Sequence, residues 1–379
     1  MEKGKKKGGK ARKQMGVVLG LLFGGLGGAV IGYWAVSSGR GEVSGGSLVS
    51  RLLLMAGTLA GVYVQVIIHE AGHLIFGLLT GYKFLSFRIA SFMWVKERGK
   101  VRFRRLSLVG TGGQCLMVPP AMVEGKMPFV LYNLGGALLN IAAGVLFFGL
   151  AALCGDAANV ATWLRMMGAF GFLLALMNGI PMRLGAVDND GYNAVSLGKN
   201  AEALRSFWIQ LSTSGEVAKG ARLKDLPGEW FALPPDEAMK NSMVAALGVF
   251  HCNWLMDAHA FEEAHRCMDR LLAMDSAMIG LHRSLLNCDR IYCELMGEGR
   301  KERLDDMLDA AQKKFMRAMK KFPSVLRTEY AYALLAEEDL AKAAKIKAAF
   351  DKVAHTYPYQ SDIESERELM KMAEDVRGR

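Results

Sequence analysis

Long apolar runs alternate with short polar intervals through the first half of this chain, and the pattern changes at about residue 195. Met15 to about Ser37 is apolar and long enough to cross a bilayer. Gly20, Gly24, Gly28 and Gly32 recur along it at every fourth position, a small-residue stripe that would let another helix come close. A Gly/Ser-rich interval, 38–49, precedes three further runs of spanning length, at about 51–80, 129–153 and 160–180. The run at 129–153 carries Asn133, Gly135, Gly136 and Asn140, small and polar groups that would face protein and not lipid. Between the runs at 51–80 and 129–153, residues 83–108 interleave Phe, Ile, Trp, Val and Leu with Arg, Lys and Ser. Arg98-Gly99-Lys100 forms a turn signal in that stretch, so it predicts a β-hairpin. Residues 109–127, which hold glycines and prolines, read as a loop or re-entrant backbone.

From about residue 196 the chain reads as soluble and mostly helical. Ala245–Met274 and Leu326–Tyr357 resemble each other: Trp254-Leu255 then Phe261 to Ala264 in one, Ala333-Leu334 then Asp339 to Ala343 in the other. Each predicts an antiparallel helix pair of the kind found in tetratricopeptide-like (TPR-like) repeats, and 280–321 can supply another. A plain helical bundle accounts for the same segments. The expected fold is therefore mostly α: a polytopic membrane protein with four transmembrane helices, a small β-hairpin insertion and a C-terminal helical soluble domain. Its parts are a basic tail 1–14, an uncleaved anchor 15–37, a membrane core 51–195 and a helical domain 196–379.

Charge orients this arrangement. Half of the residues are hydrophobic (51%), yet the formal net charge is +10. The positive charges cluster beside apolar runs, at Lys3, Lys5, Lys6, Lys7, Lys10, Arg12 and Lys13 and again in 81–127. That is the signature of membrane orientation, not of nucleic-acid binding, and it places both termini and the hairpin in the cytosol. Six cysteines without a Cys-x-x-Cys pair fit buried thiols in a reducing compartment.

The candidate chemistry lies inside the run at 51–80. His69-Glu70-Ala71-Gly72-His73 puts two imidazoles one helical turn apart, a spacing that suits one zinc ion, with Glu70 placed as general base toward water activated there. Ionisable side chains within a span are costly, which favours a functional reading. A catalytic zinc site takes a third protein ligand. Asp190, followed by Gly191 beyond the run at 160–180, is the preferred candidate, and Asp188 competes with it. Charge-derived topology brings these aspartates and the histidines to the same membrane depth. Asn178 and Asn140 are candidate substrate-binding amides, with helix packing as the plainer role for Asn140. His251, His259, His265 and His282 read as ordinary surface or core residues.

These motifs resemble the site-2 protease family of intramembrane zinc metalloproteases. The family has His-Glu-x-x-His in one membrane helix, and Asn-x-x-Pro followed by Asp-Gly at the end of a later one. Here His69, Glu70 and His73 match the first, and Asn178, Pro181, Asp190 and Gly191 the second. Gly136-Ala137-Leu138-Leu139-Asn140 matches the family's Gly-Pro-x-x-Asn without its proline, and the interval from Asn178 to Asp190 exceeds the usual one. Over 51–195 the resemblance implies a three-helix catalytic core, one zinc ion and cleavage of membrane-spanning protein substrates in regulated proteolysis or peptide-precursor processing. The expected setting is a bacterial-type inner membrane, with a protein or peptide partner for the helical domain. Two other readings remain open. One is a membrane-anchored helical-repeat scaffold with a non-catalytic metal site. The other is a different metalloprotease whose third ligand is a glutamate from the cytosolic half.

Overall fold

The structure, a computed structural model, describes residues 48–106, 112–155, 158–184 and 187–378. The basic tail, the anchor at 15–37 and its glycine stripe lie outside the described residues. The chain divides into two compact units, one holding residues up to Gly81 together with Pro128–Lys199, the other Tyr82–Met127 with Asn200–Arg379.

In the first unit, helices α1 (Leu48–Leu79), α2 (Val130–Ala152) and α3 (Ala158–Gly179) pack on one another, followed by the short α4 (Asp190–Ser196). Three stretches, Leu59–Leu79, Val130–Ala152 and Val160–Gly179, are long and apolar enough to cross a membrane. They coincide with the three expected runs of the core. Their large apolar side chains point outward: Leu79, Val145, Leu146 and Leu176 are all exposed. Inward positions carry Gln65, Asn133 and Asn140. This distribution is costly in water and suited to lipid, where helix contacts depend on small residues and internal hydrogen bonds. The α1–α2 contact is close enough that a Cβ on Gly72 would lie 2.2 Å from the Gly135 carbonyl oxygen.

The second unit corrects the expected hairpin. Residues 83–118 form a four-stranded antiparallel sheet of β1 (Lys83–Ile89), β2 (Phe92–Glu97), β3 (Lys100–Arg105) and β4 (Gly113–Val118), in the order β3-β2-β1-β4. The Arg98-Gly99 turn joins β2 to β3 as expected, with Glu97 paired to Lys100. The fourth strand replaces part of the predicted loop. Its two-residue alternation, Cys115 and Met117 buried, is short and flanked by glycines and prolines, so turn signals mask it. One sheet face buries Met93 and Val95 fully and the other buries Cys115 and Met117, while Val118 packs against Gly215 of α5 (Ala201–Lys219).

The rest of this unit is helical: α6 (Ser242–Asp257), α7 (Phe261–Ala273), α8 (Gly280–Met296), α9 (Lys301–Met307), α10 (Ala310–Ala318), α11 (Pro323–Leu335), α12 (Leu340–Ala354) and α13 (Gln360–Arg377). The two similar segments fold as helix pairs, α6–α7 and α11–α12. Their turns match in detail. A non-glycine residue at positive φ, His259 in one and Glu338 in the other, stands two positions before the second helix, and Ala264 and Ala343 are buried at equivalent places. The six cysteines are free thiols; all but Cys154 are buried.

Candidate metal centre

α1 presents Gln65, His69 and His73 at successive turns of one face, because side chains four residues apart stack along a helix. His69, Glu70 and His73 are each 8% exposed, and Gln65 is fully buried. The two imidazole Nε2 atoms stand 3.2 Å apart. Asp190, at the start of α4, brings Oδ2 to 3.1 Å from the His69 Nε2 and 3.4 Å from the His73 Nε2. These three side chains are the group able to hold a metal ion among the described residues.

The hydrogen bonds behind the rings decide which nitrogens face the centre. His73 Nδ1 lies 2.7 Å from the Tyr132 carbonyl oxygen. A carbonyl can only accept, so Nδ1 carries the hydrogen and Nε2 keeps its lone pair in the neutral ring. His69 Nδ1 lies 2.8 Å from Asn140 Oδ1. The Asn140 amide is itself fixed, since its Nδ2 donates to the Gln65 backbone oxygen at 3.0 Å and to Gln65 Oε1 at 2.9 Å. Gln65 Nε2 in turn donates to the Met167 carbonyl of α3 at 2.7 Å. Turning the Asn140 amide over would set acceptor against acceptor at Gln65, so Oδ1 faces His69 and His69 also donates from Nδ1.

With both rings neutral, two imidazole lone pairs and a carboxylate oxygen converge, an arrangement that a metal ion or a shared proton between them would relieve. Ligand-to-metal bonds of about 2.0–2.1 Å at tetrahedral angles give ligand separations of about 3.3–3.4 Å. The observed 3.1, 3.2 and 3.4 Å fit that set. The Asp190 side chain is 26% exposed, so the site opens on that side.

Local folding brings Asp190, and not Asp188, to the two histidines. α3 stops at Gly179, ahead of Pro181, which cannot continue a helix. The chain then makes a two-stranded hairpin, β5 (Arg183–Leu184) with β6 (Val187–Asp188), in which Arg183 pairs with Asp188. The Arg183 Nε lies 2.7 Å from the Asp188 carboxylate, which is thereby held outside the cluster. Asn189 closes the hairpin. Its Oδ1 accepts from Met182 N and from Tyr192 N, both at 2.9 Å, capping α4, and its Nδ2 donates to the Met177 and Ile180 carbonyls at 2.6 and 2.7 Å. The long interval between Asn178 and Asp190 is this hairpin, which returns the chain to the end of α3. Gly191 permits the return: a Cβ there would lie 2.2 Å from the Gly179 carbonyl oxygen. Gly136 has a similar role on the other side, where a Cβ would come within 2.4 Å of the His69 ring.

The remaining predicted residues fall as follows. Glu70 is buried on α1 beside the histidines. Asn140 uses both ends of its amide inside the helix bundle, toward His69 and Gln65. Asn178 Nδ2 donates to the Leu174 carbonyl one turn back, at 3.0 Å. His251, His259, His265 and His282 join no metal-binding group among the described residues. Gln65 and Asn189 were not singled out from the sequence. An amide four residues before His69 in an apolar run was the available signal for Gln65, whereas nothing local marks Asn189 as a hub. Comparison of the chain with protein-family models, with curated proteins and with solved structures gives no match.

Proposed function

We propose that this protein is a zinc-dependent intramembrane endopeptidase that hydrolyses peptide bonds in or near membrane-spanning segments of other proteins. The convergence of the His69, His73 and Asp190 lone pairs on one point, with Glu70 buried on the same helix as the histidines, carries this reading. His69, His73 and Asp190 would hold the ion. When bound, zinc supplies Lewis acidity that polarises water and the scissile carbonyl.

The chain's own residues supply the rest. Glu70 takes the proton as water oxygen bonds to the carbonyl carbon, then gives it to the leaving nitrogen as the C–N bond breaks. Asn140 and the Tyr132 carbonyl keep both rings in the tautomer that presents Nε2. The resemblance to site-2 proteases, the three helices of spanning length and the position of the site within them support a substrate that enters the membrane. The charge distribution supports a bacterial-type inner membrane with both termini cytosolic and TPR-like helix pairs in the cytosol.

Purified protein is expected to carry about one zinc per chain. Glu70→Gln should keep that zinc and lose cleavage of a transmembrane reporter by about a hundredfold or more, the scale of losing a general base. Wild-type cleavage by Glu70→Gln would refute the catalytic assignment.

A further inference from the structure

The helical unit holds a second concave feature, lined by none of the residues of the metal-binding group. Between α8, α10, α11 and α12 lies a groove of about 600 Å³. That volume is within the range of ligand sites. Its floor is apolar, with Met316 and Leu326 buried and Ile346 half-buried. Its rim is cationic. Lys313, Arg317, Lys320 and Lys345 all line it, are exposed, and have no ion-pair partner among the described residues. Lys342 is neutralised by Glu337 at 2.5 Å, and Glu329 is the other carboxylate in the lining. The groove thus offers several free cations around an apolar trough with a single unpaired acid.

We propose that this groove binds an acidic peptide segment of a partner protein, with carboxylates flanking one or two large apolar side chains. The charge pattern selects this occupant. The chain's own residues 1–14 are strongly basic and carry the wrong sign. A flat anionic surface could satisfy the rim cations but would leave the Met316, Leu326 and Ile346 floor unfilled. A peptide with alternating character satisfies both, because apolar anchors in a trough supply affinity and rim charges supply attraction and register. The inference stands whether or not the metal centre is catalytic.

The test uses the full chain in a neutral detergent and a fluorescein-labelled synthetic peptide, Glu-Leu-Glu-Glu-Phe-Glu, read by anisotropy. Saturable binding is expected, weakening with salt. The triple variant Lys313→Glu, Lys320→Glu, Lys345→Glu should lose affinity by roughly tenfold or more. The same variant, with the parent's helical content by circular dichroism, should gain binding to Lys-Leu-Lys-Lys-Phe-Lys. Ile346→Asn should also weaken the acidic peptide. The proposal is overturned if the triple variant binds the acidic peptide as tightly as the parent, or if polyglutamate without Leu and Phe binds equally well. It is also overturned if the parent binds soluble dihexanoyl phosphatidylserine but not the peptide, or if the rim substitutions alter only self-association in sedimentation.

Discussion

Asn140 is the residue on which the metal centre's geometry turns. It holds the His69 ring from one side and is itself held by Gln65, which is anchored to the Met167 carbonyl, so one line of amides connects all three long apolar helices to His69. Second-layer partners of metal-bound histidines typically contribute 10–100-fold in affinity. Asn140→Ala is therefore expected to raise the zinc dissociation constant by roughly that factor, measured by chelator competition. Gln65→Leu should have a smaller effect of the same sign, because Asn140 keeps the Gln65 backbone acceptor but loses the side-chain one. Asp190→Ala and Asp188→Ala make the sharper contrast. The first should abolish stoichiometric zinc. The second removes only a pair with Arg183, and zinc content should stay at the wild-type level. Equal zinc loss in both variants would contradict the geometry.

The hairpin between α3 and α4 is where element-level folding brings Asp190 to the histidines. Asn189 satisfies backbone groups at Met177, Ile180, Met182 and Tyr192, so its replacement leaves both a helix cap and the end of α3 unsupported. An N-cap loss alone costs about 0.5–2 kcal/mol, and the added orphan carbonyls raise this. Asn189→Ala is expected to lower the melting temperature and weaken zinc binding together. Gly191→Ala should do the same by forcing its methyl onto the Gly179 carbonyl, and its melting temperature and zinc affinity check that in one experiment. The same region marks the limit of sequence reading. The His69–His73 pair was legible because both side chains sit on one helix, where periodicity fixes their relation. Asp190 was legible as the preferred candidate with Asp188 still in competition, since the choice depends on Arg183 and Asn189 closing a hairpin that no local pattern announces. The three helices long and apolar enough to cross a membrane were legible from length and hydropathy. The fourth strand was not, because a six-residue strand between glycines and prolines carries too little periodic signal.

At the scale of the whole molecule, the helical unit carries a buried excess of acid. A cavity of about 260 Å³ is lined by Asp257, Asp289, Asp362 and Glu366, by Arg222 and Arg327, and by His282. Arg222 is engaged by Asp257 and Glu368, and Arg327 by Asp289 and Glu366, which leaves Asp362 without an ion-pair partner among the described residues. Burial first, then the charges of Glu366 and Asp257, push the Asp362 carboxyl up to about 7, against the opposing pull of Arg222. Its folded value thus lies above its unfolded one. Between about pH 4 and pH 7 the folded chain holds a proton that the unfolded chain has released, so this group's contribution to stability falls as pH rises, by up to about 1.4 kcal/mol per unit. Above pH 7 both states are ionised and the effect is flat. His282, in the same cavity, is pulled down by burial and acts with the opposite sign, losing stability as pH falls below its unfolded value. Comparing the wild type with Asp362→Asn largely cancels that contribution, since His282 is present in both. The variant's melting temperature, followed by tryptophan fluorescence of the full chain, should exceed the wild type's by a margin that grows from pH 5 to pH 7 and then stays constant. A margin equal at pH 5 and pH 7 would mean that Arg222 outweighs burial and holds the carboxyl ionised over that range, as it is in the unfolded chain, and would overturn the assignment.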